Sequence, residues 1–234
     1  MKTSNNIQAL VPAFVLLLMI CLGCSKQNYP TSGAPVDGDG NYYKTIVIGD
    51  QEWLAGNLKT TKYNNGKSIK QSPIKDGFAS YYWYNNDTAN KEKYGALYSW
   101  RAVKKKKLCP CGWKVPEKKD WIQLEDAVRE GYGNVAKALA SQNGWLNSNK
   151  PGAVGNMPHK NNSSGFNAVP AGSYRAKDEK YRLERVATFF WSTSEHKDWY
   201  TFAPMIASER DSVGHPNLVQ TGAHSVRCIK KKEK

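Results

Sequence analysis

Acid is scarce in this chain of 234 residues: 20 Asp and Glu stand against 34 Lys and Arg, a formal charge of +14. Histidine is scarcer, at 4 residues, and cysteine little commoner, at 5. These shortages exclude several chemistries. His159, His196, His215 and His224 show no H-x-x-x-H spacing, and the cysteines downstream of residue 24 form no C-x-x-C pair. A zinc site therefore has no signature, and no metal or other cofactor is expected. A G-x-S-x-G elbow, a P-loop and a dinucleotide fingerprint are also missing, so no motif nominates a catalytic residue. Glycosidase carboxylates pair in space and not in sequence. Glu52, Glu125 with Asp126, and Glu195 are the candidates, and each is better read as a surface acid. Long apolar runs are rare too: the one from Ala9 to Leu22 is shorter than the about 20 residues a spanning helix needs.

That run belongs to IQALVPAFVLLLMICLGC, residues 7 to 24, which passes at once into Ser25-Lys26-Gln27-Asn28. Behind the basic Lys2 it has the form of a secretory leader covering residues 1–23. Gly23-Cys24 resembles the lipobox of bacterial lipoproteins, in which the cysteine thiol is diacylated and the leader is cut before it. The resemblance implies an exported protein anchored to a membrane by lipid on Cys24. Residues 24–41, containing SKQNYPTSGAPVDGDGN, have little to bury and read as a flexible tether. Residues 42–234 then make one domain with a substantial core.

Trp 8, Tyr 13 and Phe 6 with a mean hydropathy of -0.66 mean that large rings supply much of the burial. In a cytosolic protein the positive charge would suggest nucleic acid. Export removes that partner. Lys104-Lys105-Lys106-Lys107 and Lys230-Lys231-Lys232 with Lys234 read as solvated loops and tails, or as a surface for anionic headgroups or acidic polysaccharide. With Cys21 removed and Cys24 acylated, Cys109, Cys111 and Cys228 remain. They allow one disulfide and leave one thiol over.

Tyr43 to Ile48 and Gln51 to Leu54 flank Gly49-Asp50 and predict an opening hairpin. Ser80 to Tyr84 is a short aromatic strand or packed loop. Tyr94 to Val103 has Leu97 and Trp100 at helical spacing. A second helix is expected after Pro116, with Trp121, Leu124 and Val128 on one face before Gly131. Asn134 caps a third, running through Gln142. Trp145 to Phe166 reads as a long loop. Strands return at Asn167 to Tyr174, Thr188 to Ser192, Trp199 to Phe202 and His224 to Ile229. The whole is an α+β domain without repeats.

Ile48-Gly49-Asp50-Gln51-Glu52-Trp53-Leu54-Ala55-Gly56-Asn57-Leu58 is followed by Tyr94-Gly95-Ala96-Leu97-Tyr98-Ser99-Trp100 and by Cys109-Pro110-Cys111-Gly112-Trp113-Lys114-Val115-Pro116. Then come Ser164-Gly165-Phe166-Asn167-Ala168, Phe190-Trp191-Ser192-Thr193-Ser194 and Ser225-Val226-Arg227-Cys228. In this order the segments resemble the Fibrobacter succinogenes major paralogous domain, from about Tyr42 to Lys230. The resemblance implies an exported lipoprotein of a Gram-negative bacterium, at the outer membrane or cell surface. It also implies a C-type-lectin-like fold with two or three helices and a twisted, mostly antiparallel sheet. Such folds tie their middle to their last strand, which implies a Cys109–Cys228 disulfide; Cys111 is the competing partner. Cys109 and Cys111 are too close in sequence to bridge each other easily.

Calcium-dependent lectins use a Glu-Pro-Asn or Gln-Pro-Asp loop and a Trp-Asn-Asp strand. The nearest stretches here, His215-Pro216-Asn217 and Trp191-Ser192-Thr193, lack the carboxylates a hard cation needs. Glycan binding without calcium, through ring stacking and amide hydrogen bonds, is the expectation, with Trp145, Asn147 and Asn149 of the long loop as weak candidates. Trp145 also suits a core position. The leading function is a non-catalytic surface lipoprotein that binds a glycan or a surface protein. An adhesin or assembly component without a small-molecule site is the alternative, and an enzyme related to sulfatase-modifying factors the remote one.

Overall fold

The computed structural model describes residues 33–74, 77–197 and 199–232. The leader 1–23, Cys24 and the start of the tether lie outside them. In chain order the elements are β1 Thr45–Ile48, β2 Gln51–Leu54, β3 Tyr81–Tyr82, α1 Asn90–Tyr94, β4 Leu97–Ser99 and α2 Trp100–Lys104. Then follow β5 Trp113–Lys114, α3 Lys118–Tyr132, α4 Val135–Leu139, β6 Ala171–Arg175, β7 Lys180–Glu184 and β8 Ala187–Phe189. The chain closes with β9 Tyr200–Phe202, β10 Met205–Ala207, β11 Asn217–Val219, β12 Gly222–Ser225 and β13 Ile229–Lys230.

The fold is α+β, with three sheets among the described residues. The first has the order β1-β2-β13-β5, so the opening hairpin pairs with the last strand, Trp53 opposite Ile229. The second runs β10-β8-β6-β12-β4-β3, with β7 added beside β6. Its pairings are antiparallel except β6 with β8. The third is the small antiparallel ribbon of β9 and β11.

Helix α3 forms where its end signals and its apolar face agree. Glu117 caps it and Asp120 closes the reciprocal box, its Oδ2 accepting from the Glu117 N–H at 2.8 Å. Trp121, Leu124 and Val128 are buried on one face, and Gly133 at φ 78° ends the helix. Beneath lies an aromatic core. The Trp53 ring is 5.0 Å from Trp121, and Phe166 and Phe190 pack edge-on at 6.1 Å.

Several expectations need correction. Residues 94–103 are not one helix: Gly95 at φ 72° breaks the chain, and Leu97–Ser99 is a strand hydrogen-bonded to β12 and β3. All three residues are buried, so periodicity could not separate helix from strand there. The Asn134-capped helix ends at Leu139 because Ala140 turns extended and bridges Ala168. Asn167 sits at φ 56° and the strand begins only at Ala171. The last expected strand divides at Val226, whose carbonyl accepts from Leu58 N–H at 2.9 Å. The chain is packed ahead of Tyr42: Tyr43 N–H donates to Pro35 O, and buried Asp37 accepts from Tyr43 OH at 2.6 Å.

Cys109 and Cys228 form a disulfide that joins residues 119 apart, with Cα atoms 6.0 Å from each other. Cys111 is not left as a lone thiol, which departs from the expectation of one leftover cysteine.

Candidate functional site

The six motif segments are held together from within. Arg227 is fully buried and donates to Leu54 O at 3.1 Å, to Phe166 O, to Asn57 Oδ1 at 2.8 Å and to Asn167 O at 3.4 Å. Its guanidinium carbon lies 4.3 Å from the Phe166 ring centre. Burial pushes its pKa down to about 9, still above neutrality, so it is a cation whose partners are all neutral. Asn57 passes the network on, donating from Nδ2 to Tyr94 O at 2.9 Å. Trp191 Nε1 donates to Tyr98 O at 2.7 Å. Arg227 and Trp191 position the scaffold from inside it and face no solvent.

His224 is buried as well, edge-on to Trp191 at 4.6 Å. Burial lowers its pKa to about 3, and Nδ1 has no hydrogen-bond partner. It is a neutral core residue at physiological pH. His215 is exposed and meets Glu125 across 2.7 Å, its ring stacked on Phe202 at 5.3 Å. Burial raises the pKa of Glu125 and the His215 contact opposes that rise. Sequence gave no sign of this pair, because its members lie 90 residues apart. His159 and His196 are exposed.

The expected loop candidates divide. Asn147 and Asn149 are exposed, whereas Trp145 is 3% exposed and its Nε1 donates to Ser141 Oγ at 3.1 Å. A ring buried in that way has no face for a sugar. Glu52 pairs with Lys230 at 2.7 Å, Asp126 with Arg129 at 2.6 Å, and Glu195 with Lys104 at 3.1 Å. Each of these carboxylates is occupied by a cation. Trp191 is buried, and Asn217 opens β11 on the surface. Among the described residues no group of three or more His, Cys, Asp or Glu could hold a metal ion.

Exposed rings gather instead on the β9–β11 ribbon. Trp199 is 72% exposed, Tyr200 43% and Val219 48%, and Tyr200 stands opposite Val219 in the pairing. Trp199 has φ 72° and its carbonyl accepts from Gln220 N–H at 2.9 Å. A bulky side chain in the left-handed region is strained, so the ribbon holds an exposed indole at an energetic cost. Along the same face of β9, two residues from Tyr200, Phe202 goes inward under His215 and Lys118. Lys104 to Lys107 are exposed, and the Lys104–Glu195 pair ties that run to the segment entering the ribbon, where Glu195 bridges Thr201. Sequence placed a strand at Trp199 to Phe202 but offered nothing to show which rings stay outside.

No curated protein and no solved structure shows significant similarity to the chain. The profile of one family does match, over residues 46–230, which takes in all six motif segments and the disulfide. The chain belongs to the Fibrobacter succinogenes major domain family.

Proposed function

We propose that this chain is a non-catalytic, lectin-like binding protein, exported and anchored through lipid on Cys24 at the outer membrane or cell surface, and that it binds a glycan without calcium. The observation that carries the reading is the strained, 72% exposed Trp199 beside Tyr200 on the β9–β11 ribbon. The exposed indole of Trp199 and phenol of Tyr200 each offer an apolar face for stacking a sugar ring, with a polar tip for its hydroxyls. The C-type-lectin-like fold is supported by the pairing of the opening hairpin with the last strand and by the Cys109–Cys228 link. Independence from calcium rests on the absence of carboxylates within His215-Pro216-Asn217 and Trp191-Ser192-Thr193. The exposed run Lys104 to Lys107 near the ribbon favours acidic polysaccharides.

A glycan array with and without EDTA tests this. Binding is expected to persist in EDTA, to weaken with salt, and to fall roughly fivefold in Trp199→Ala, since one stacked ring contributes on the order of 1 kcal/mol. Neutralising Lys104 to Lys107 reproduces the salt effect without lowering the melting temperature. Binding that EDTA abolishes and calcium restores, or that Trp199→Ala leaves intact, refutes the reading.

A further inference from the structure

A concave surface elsewhere on the molecule includes no residue of the ribbon. It is a groove of about 260 Å³ whose lining includes Gly56, Asn57 and Asn167. Asn57 and Asn167 also bond Arg227, so the buried cation fixes this part of the wall. The rest of the lining combines neutral residues, Tyr42, Tyr43, Tyr94 and Val169 among them, with charged ones that are mostly basic. Lys44, Lys59, Lys91 and Lys93 all contribute, against Glu92 as the one lining carboxylate.

Two of these charges are already neutralised. Lys59 meets Glu92 at 2.5 Å and Lys93 meets Glu184 at 3.5 Å. Lys44 and Lys91 have no carboxylate partner among the described residues. Four lysines drawn from three separate segments into one hollow repel one another, and a solvated lysine run such as 104–107 has no need of a hollow. The main-chain N–H groups of Gly56 and Asn57 likewise make no hydrogen bond within the described residues. Lys91 Nζ lies over the Trp83 ring at 6.0 Å, a weak contact that leaves its charge without a counter-ion. Cations without a carboxylate partner and unpaired N–H donors on one concave surface suit an anion. Tyr42, 76% exposed, adds a ring face to the lining, and the exposed Asn167 adds a side-chain amide for hydroxyl groups.

We infer that this groove binds the anionic group of a charged sugar unit, a carboxylate or a sulfate carried on a single pyranose ring. Size limits the ligand. Pockets for drug-sized molecules run from about 300 to 1,000 Å³, so this one takes one ring and its charged substituent. It is a site additional to the aromatic ribbon, and the two can fail independently.

Ligand-observed NMR on the full-length chain tests the assignment, with sodium glucuronate, glucose 6-sulfate, glucose and inorganic phosphate as probes. Glucuronate, glucose 6-sulfate or both should bind and be displaced by salt, and whichever binds identifies the charged group. Lys44→Gln and Lys91→Gln should each weaken binding roughly two- to five-fold, the size of one exposed charge contact, and the double variant should multiply the losses. Trp199→Ala should leave it unchanged. Failure of both charged sugars to bind overturns the inference. So does glucose binding as tightly as they do, phosphate matching the charged sugars, or a double lysine variant that binds like the parent.

Discussion

Replacing Arg227 by Met tests whether the buried cation holds the motif segments together. The change removes donors from Leu54 O, Phe166 O and Asn57 Oδ1 and leaves three buried acceptors facing an apolar side chain. Each unsatisfied acceptor costs about 1–3 kcal/mol, or about 3–9 together. Against this, the variant no longer buries a cation that has only neutral partners, and relief from that desolvation is several kcal/mol. The loss of the Phe166 ring contact adds a little to the cost. The net expectation is a destabilisation of about 2–5 kcal/mol, a large part of the about 5–15 that domains possess. Urea unfolding followed by tryptophan fluorescence, without reductant, reads this as a midpoint lower by on the order of 1–2 M. Arg227→Lys keeps the charge but not the planar fork, and should lose about as much. A Met variant with an unchanged midpoint refutes the hub, and an unchanged Lys variant shows that charge alone matters.

His224 gives a pH dependence with a definite sign. Its folded pKa of about 3 lies below the ordinary 6.5, so the unfolded chain binds the extra proton between those values and stability falls as pH drops through that window. The slope is at most roughly 1.4 kcal/mol per pH unit, and His224→Phe should flatten it; parallel pH profiles for variant and parent would refute the assignment. Cys109→Ser should lower stability by about 4–5 kcal/mol in the chain-entropy account of a link spanning 119 residues. Non-reducing peptide maps should recover Cys109 with Cys228, and a Cys111–Cys228 peptide would contradict the structure. Gly95→Ala places a Cβ 2.8 Å from Asn57 Cβ and Leu58 O at φ 72° and should cost at least about 1–3 kcal/mol, whereas Gly56→Ala meets nothing within 4 Å and should be nearly neutral. Equal melting temperatures for these two variants would sink that contrast.

Local signals in the sequence determined the local structure. The hairpin over 45–54 follows from two β-prone runs around Gly49-Asp50, and α3 follows from its capping box and apolar face. The α+β class and the family were legible because six ordered segments carry them, and the resemblance also implied the Cys109–Cys228 pair. Tertiary structure decided everything that depends on distant partners. Leu97–Ser99 is a strand because β12 and β3 lie on either side of it, and no local rule separates that outcome from a buried helix. The acceptors of Arg227 at Leu54, Asn57 and Phe166 are 173, 170 and 61 residues away, so an Arg beside a Cys gave no hint of a hub. Trp145 and Trp199 are the same side chain, yet one is buried against Ser141 and the other stands in solvent. The four lysines of the groove come from three segments that meet only in the fold. Periodicity and capping are near-neighbour interactions that a sequence displays directly, whereas exposure and convergence are sums over contacts made from far along the chain.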